Sequence, residues 1–561
     1  MSNNCLYTVK NGVLNIKTDL FSFNFLDVES AQAETDNCDG LSKQFLKIKA
    51  TGKCGVRHYC VWDDLPLVYM PDYREEKLLE LQGEHWIIKN VKLNAFTDDN
   101  DTLTNADESY LFARSLFSEK CGEIFFLENP QDGNAIVIIS ETPDYQTAVL
   151  NIKKGVVTVE NGSNGLALGF CKNGECEALC RNYYRHARNA EALVDMSNTW
   201  GDMNGTSRVC RDFVMREIDA AEKIGVDIVQ IDDGWQKGGT YDPKILDADG
   251  KRCFNGDFWE ISKERFPNGM REIADYAKAK NVKLGLWLAP DSHGNFALLE
   301  RDKAVLRKAY EEWGIRFFKL DMYWIHSDIE RDRFIELLQY VYSFGKDVAV
   351  QLDVTREDRI NYLCARQYGT VFVENRYTHS ANSFPHRVLR NIWSIGRYIP
   401  TSKFQFELVN PDLFTECYQQ NDPFVPSLYD MDYLFAITML SNPLFWMELQ
   451  FLPQKRIDEL KRIMPVWKSL KEEFSKCDVM PIGDLPCGRS FTGFLISDEK
   501  SPKYLLLFRE VTEDSKTVIK APVKKCDASV LVSNADVNVN VNDGFVEVDF
   551  SKPRAYALIK L

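Results

Sequence analysis

Histidine is scarce: the 561 residues contain seven, with no H-x-H or H-E-x-x-H pair, which leaves little for a histidine-built metal hydrolase. Long apolar runs are missing as well. No stretch reaches the roughly 18–20 residues that a membrane-crossing helix needs, so no membrane partner is expected. Nor does any Lys/Arg cluster offset the formal charge of -15, which would repel a phosphate backbone. Nucleic acid is set aside on that ground. The opening Met1-Ser2-Asn3-Asn4-Cys5-Leu6-Tyr7 has neither the basic start nor the apolar stretch of a signal peptide, so a cytoplasmic protein is expected. A disulfide frame is lacking too. Fifteen cysteines, an odd number in no repeating frame, suit free thiols in a reducing compartment. Cys171, Cys176 and Cys180 come nearest to a metal cluster, but without C-x-x-C spacing or a following histidine they are expected to be buried thiols.

What is present is a folded, multidomain composition. The apolar share of 45% is that of a globular protein, and 561 residues are too many for one core. Up to about residue 180 the chain offers short apolar runs bounded by Asn, Gly, Pro and Asp, such as 123–127, 135–139 and 156–159. None is long enough for a helix, so an N-terminal β-sandwich domain is expected over 1–180. Between 185 and 476 the pattern changes to short apolar strands alternating with amphipathic segments of helical length. The strand candidates are 193–200, 228–233, 282–289, 317–322, 348–353, 370–374, 404–408 and 442–446. Eight repeated strand–helix units predict a closed (β/α)8 TIM barrel. From 477 to 561 alternation returns, with Val537, Val539 and Val541 set against Asn538, Asn540 and Asn542 before an Asp543-Gly544 turn. A small antiparallel C-terminal β domain is predicted there.

In a barrel enzyme the reacting groups sit at the C-terminal ends of the strands. Here those ends read Asp232-Asp233-Gly234-Trp235, Trp287-Leu288-Ala289-Pro290-Asp291, Lys319-Leu320-Asp321, Gln351-Leu352-Asp353 and Val373-Glu374-Asn375. Lys319 and Asp321, two apart on a strand, share a face. An ammonium beside a carboxylate favours its ionised form, as a nucleophile requires and a proton donor does not. Carboxylates and indoles facing one cleft match a sugar, whose hydroxyls take charged hydrogen-bond partners and whose apolar face lies on an indole. Breaking a glycosidic bond takes two carboxyl groups. An isolated K-x-D could equally be a strand-end ion pair, and each tryptophan alone could be packing.

The run from Asn198-Thr199-Trp200 through Val229-Gln230-Ile231-Asp232-Asp233-Gly234-Trp235-Gln236, Gly256-Asp257-Phe258-Trp259, Phe266-Pro267-Asn268-Gly269, Gly285-Leu286-Trp287 and Phe318-Lys319-Leu320-Asp321-Met322 resembles glycoside hydrolase family 36. That family holds α-galactosidases and raffinose-type galactosyltransferases. The resemblance implies a retaining α-glycosidase that uses no metal or organic cofactor, takes an oligosaccharide or glycoside substrate, and could form homo-oligomers. It makes Asp321 the nucleophile, with Lys319 donating to ring hydroxyls. Asp232 and Asp233 fall on the pair that holds the sugar's 4- and 6-hydroxyls, and Trp200, Trp235, Trp259 and Trp287 on donor-site positions. Beyond residue 345 the family's C-S-G-G-G loop is replaced by Gln351-Leu352-Asp353-Val354-Thr355-Arg356-Glu357-Asp358. Arg356 and Asp358 keep the Arg and Asp of that region. Glu374 falls on or one residue from the acid/base position, with Asp353 as its competitor. Transfer to a sugar hydroxyl instead of water, or sugar binding without catalysis, stay open as alternatives.

Overall fold

Alternation builds the barrel. In each central strand one set of side chains is apolar and faces the surrounding helices, while the other turns into the barrel and becomes polar toward the C-terminal end. The eight strands are β1 (Met196–Asn198), β2 (Ile228–Ile231), β3 (Lys283–Leu288), β4 (Phe317–Leu320), β5 (Ala349–Asp353), β6 (Thr370–Phe372), β7 (Phe404–Leu408) and β8 (Asn442–Phe445). They pair in parallel in that order, and β1 closes on β8 with Met196 opposite Leu444. The inward residues rise in steps. Met196, Ile228, Phe317, Phe372 and Leu444 form an apolar plug, and above it the register sets Trp287 beside Lys319 and Lys319 beside Gln351.

This computed structural model describes residues 85–93, 104–112, 118–140, 148–153, 156–160, 166–185, 193–202, 208–239, 257–325, 327–353, 366–373, 376–498 and 501–561, together with the backbone of strands within 6–51 and 77–80. Helices covering the barrel include Arg211–Ile224, Met270–Ala279, Leu299–Lys308, Asp328–Tyr342, Pro385–Ile395, Met431–Thr438 and Gln454–Phe474. In the third, Asp302 is wholly buried and accepts the Asp291 N–H at 2.9 Å. None of the described helices is long and apolar enough to cross a membrane.

The flanking regions are antiparallel. Before the barrel lie a seven-stranded, a four-stranded and a three-stranded sheet, and after it a five-stranded and a three-stranded sheet. The valine–asparagine alternation forms the strand Val537–Asn542, which turns at Gly544 (φ 83°) into Phe545–Phe550. Helix Cys176–Arg185 joins the parts. Its Arg181 makes a bidentate pair with Asp478 at 2.9 and 3.0 Å, and Arg185 reaches the same carboxylate at 2.6 Å. Flanked by two guanidinium groups, Asp478 is held down at about 2 although its burial pushes the other way. The three expected thiols lie buried at the root of this helix, with the sulfurs of Cys171 and Cys176 3.6 Å apart.

Candidate active site

Lys319 is the centre of the cleft. It is 2% exposed, and its Nζ lies 3.0 Å from Asp232, 3.1 Å from Asp353 and 3.6 Å from Asp321. Burial disfavours the ammonium, but the carboxylates of Asp232, Asp353 and Asp321 more than reverse that and hold its pKa well above the ordinary lysine value. The cluster therefore carries three carboxylates around one cation. Its Nζ also stands 5.3 Å over the Trp446 ring and 5.9 Å from that of Phe372, so the floor beneath the charge is aromatic.

Asp321 ends β4, where its N–H still donates to the Leu288 carbonyl at 3.0 Å. Its Oδ2 accepts from the Trp287 indole N–H at 2.8 Å, and its Oδ1 from the backbone N–H of Met322 at 2.6 Å. Met322 sits in the left-handed region (φ 58°), a conformation that costs a non-glycine residue about 1 kcal/mol or more. The chain thus turns sharply just past Asp321 and fixes that carboxylate from two sides. The side chain remains 16% exposed, against 3–4% for the carboxylates of Asp232 and Asp353.

At the end of β2, Asp232 Oδ2 is shared between Lys319 and the Asn198 amide, which donates at 2.7 Å. Asp232 Oδ1 accepts the Asp233 N–H at 2.9 Å, and Asp233 in turn accepts from the Gln236 amide. The indoles divide into two groups. Trp259 and Trp287 stand 5.8 Å apart by ring centroid, and Trp200 lies across the site with its N–H on the Tyr377 hydroxyl at 3.0 Å. Trp235 is the fourth indole expected at the donor site. It is fully buried, its N–H is taken by the Trp287 carbonyl at 2.9 Å, and its ring is stacked on Trp259 and met edgewise by Trp313. Trp235 therefore backs the wall that Trp259 and Trp287 form.

The structure brings Asp232, Lys319, Asp321, Asp353 and Trp287 together, with Asp233, Trp200 and Trp259 at the edges. Glu374, the expected acid/base, and Arg356 lie outside the described residues, as does Asp358. Several inward residues were not singled out from the sequence. Glu407 on β7 is 2% exposed and accepts the Arg376 N–H at 2.9 Å, and Trp446 just past β8 underlies Lys319. The F-Q-F-E-L alternation of β7 carries the signal for Glu407, since Gln405 and Glu407 occupy the face opposite Phe404 and Phe406.

The barrel seam closes on a second group of acids. Gly201 lies against the Trp446 backbone so closely that a Cβ would collide with its carbonyl, and Asp202 accepts the Glu448 N–H at 2.9 Å. Glu448 pairs with Arg208 at 2.8 Å. Burial pushes Asp202 up to about 7 and Glu448 to about 8. Both hold protons more tightly in the native state than in the unfolded chain, where carboxyl groups titrate near about 4. Their native pKa being raised, stability is greatest below that unfolded value and declines as pH rises toward 7–8. Asp202→Asn keeps an acceptor for Glu448 but cannot ionise. Its thermal midpoint is expected to fall less between pH 5 and pH 8 than that of the wild type, and an equal fall in the two proteins would contradict the assignment.

Residues 179–324 match the melibiase family model. They run from the joining helix to just past Asp321 and so contain β1 to β4 and the Asp232–Lys319–Asp321 group. Over 201 residues the chain is 35% identical to α-galactosidase Mel36A of Lactobacillus acidophilus, a match covering 34% of this chain and 25% of that protein. Over 167 residues it is 32% identical to α-galactosidase A of Cellvibrio japonicus, covering 28% and 36%. The chain thus aligns with about a quarter to a third of the length of these relatives. In fold the likeness spans the molecule. The family 36 α-galactosidase AgaA of Geobacillus stearothermophilus superposes with a TM-score of 0.59 at 12% identity, covering 100% of this chain and 88% of that one. The galactosidase domain of the α-galactosidase–sucrose kinase AgaSK gives 0.64 at 11%, covering 99% and 82%. The segment that matches the family model sits in the shared architecture of a barrel between antiparallel sheets.

Proposed function

We propose that this protein is a retaining α-glycosidase that removes terminal α-linked galactosyl residues by double displacement. Asp321 Oδ attacks the anomeric carbon while the bond to the leaving oxygen breaks and Glu374 delivers its proton to that oxygen. A glycosyl ester on Asp321 results. Glu374, now a carboxylate, takes a proton from water, whose oxygen displaces Asp321 and returns the sugar with its α configuration.

The observation that supports this most is the Lys319 ammonium held by Asp232, Asp321 and Asp353 at 3.0–3.6 Å. A site with more carboxylates than cations favours positive charge, and positive charge is what develops at the anomeric carbon in an oxocarbenium-like transition state. Lys319 keeps that negative cluster folded and can still donate to a ring hydroxyl. Asp232 and Asp233 are proposed to hold hydroxyls, Trp259 and Trp287 to face the ring, and Asp353 and Arg356 to contact the sugar where the glycine loop of family 36 is missing. An AgaA variant has been crystallised with raffinose, which suits the same substrate class for this chain.

The test uses the wild type and Glu374→Gln on one set of substrates, nitrophenyl α- and β-glycosides and the matching alkyl α-glycosides, with the first-released anomer followed by NMR. The expected result is α-galactoside hydrolysis with α-galactose appearing first, and a variant that keeps far more activity on nitrophenyl than on alkyl galactosides. Release of the β anomer would reject double displacement. Equal losses on both leaving groups would reject Glu374 as the proton donor and point to Asp353 or another acid.

A further inference from the structure

Asn198 holds two parts of the site at once. It closes β1 opposite Gln230 on β2 and is 1% exposed. Its side-chain NH2 donates one hydrogen to Gln230 Oε1 at 2.6 Å and the other to Asp232 Oδ2 at 2.7 Å, while its Oδ1 accepts the Trp200 backbone N–H at 2.7 Å. That pattern fixes which way the amide points. Turned over, it would set an oxygen against two acceptors and an NH2 against an N–H. The residue after it acts on the same aspartate, because Thr199 Oγ1 accepts the Asp232 N–H at 3.0 Å. Trp200 is steadied at its far end, where its indole N–H meets the Tyr377 hydroxyl.

Two donors meet on Asp232 Oδ2, the Asn198 amide at 2.7 Å and Lys319 Nζ at 3.0 Å. An ionised carboxylate offers about four acceptor positions, half of them on each oxygen. Those on Oδ2 are therefore taken, and Oδ1 has given one to the Asp233 N–H at 2.9 Å. Among the described residues nothing claims the last position, on Oδ1. We infer that Asn198 is a positioning residue: it occupies Asp232 Oδ2, turns that carboxylate so that Oδ1 takes a hydroxyl of the bound sugar, and ties it to Trp200 so that acid and indole are set together. This rests on the proposed function, in which Asp232 holds a hydroxyl. Lys319 alone cannot set that orientation. Its ammonium is shared with Asp353 and Asp321 and can turn among them, whereas a planar amide fixes both of its hydrogens in one plane.

The test is Asn198→Asp, which keeps the shape of the side chain and exchanges its NH2 for an oxygen. The introduced carboxyl faces Asp232 from β2 and, beyond it, Lys319 with Asp321 and Asp353 from β4 and β5. On its other side β8 brings Leu444 and Trp446, which do not titrate. Protonated, the new group still donates to Asp232; ionised, it repels it. The ratio of the variant's kcat/KM on nitrophenyl α-galactoside to that of the wild type is expected to fall about tenfold between pH 5 and pH 8. A level ratio overturns the inference, since a residue that only packs the end of β1 has no reason to follow pH. Asn198→Ala probes the same link without a charge. It should lower kcat/KM about ten- to a hundredfold, the size of one hydrogen bond to a charged group, but less than about twofold in the Asp232→Ala background. The same loss in both backgrounds also overturns the inference and leaves the α-galactosidase reading standing. A wild type inactive on the galactoside rejects the function itself, and the inference falls with it.

Discussion

Asp321→Asn is expected to reduce turnover of α-galactosides by on the order of 10⁴-fold or more, the scale of loss when a nucleophile is removed from an enzyme that works through a covalent intermediate. Folding should survive. An asparagine keeps one of the two acceptors: its amide oxygen can still take the Met322 N–H that Asp321 Oδ1 accepts at 2.6 Å, which keeps the turn after β4, while its NH2 replaces the Oδ2 that accepts the Trp287 indole N–H at 2.8 Å and loses that bond. Also lost is one negative charge 3.6 Å from Lys319, whose closer partners at 3.0 and 3.1 Å remain. The thermal midpoint should therefore move by only a few degrees, while sugar binding persists. A smaller variant, Asp321→Gly, supplies the chemical proof. With azide as external nucleophile and a nitrophenyl galactoside as donor, it should yield a galactosyl azide of inverted configuration. Retention of wild-type turnover in the asparagine variant would remove Asp321 from the mechanism.

Lys319→Met should be the most damaging change to both stability and activity. It leaves Asp232, Asp321 and Asp353 crowded at the barrel mouth with their shared cation gone, and at 3–5% exposure Asp232 and Asp353 have almost no water to replace it. Removing one member of a buried ionic group typically costs about 3–5 kcal/mol, because the partners stay buried and uncompensated. The sign of the pH dependence separates this from a simple packing defect. In the wild type, the raised Lys319 pKa means that the ammonium's contribution is fully present below about 10 and is lost only as pH rises through that higher value. Without the cation, the buried carboxyl groups hold protons more tightly in the folded than in the unfolded chain. The variant's stability should then fall as pH rises from 5 to 8. Adding Asp353→Asn should restore part of the loss at pH 8, since one charge fewer must be accommodated. Melting curves of the single and double variants at the two pH values measure this. A single variant as stable as the wild type throughout would show that Lys319 does not hold the cluster together.

Much of this molecule could be read from the chain alone, for a definite reason. Period-two alternation within short apolar runs, separated by helix-length amphipathic segments, is a local signal, and it identified the barrel and its antiparallel flanks. The face shared by Lys319 and Asp321 is likewise a consequence of strand geometry two residues apart. Strand-end logic found Asp232 and Asp353 because each directly follows an apolar run. The same logic passed over Glu407 and Trp446, whose strands, β7 and β8, carry weaker runs, with Pro443 inside β8. Trp235 shows the converse limit: its place in a sugar-binding motif says nothing of which face of the indole is free. Only the tertiary structure shows its ring stacked on Trp259 and met edgewise by Trp313.

By itself, then, the sequence determined the order of layers, the strand that bears Asp321 and the company of acids and indoles around it, because each depends on residues close together in the chain. Only the tertiary structure decided that one ammonium serves three carboxylates from β2, β4 and β5, and that the Asn198 amide joins Asp232 to Trp200. Those facts depend on the closure and register of a barrel, which bring together side chains up to 121 positions apart, from Asp232 to Asp353, and no local pattern records such distances.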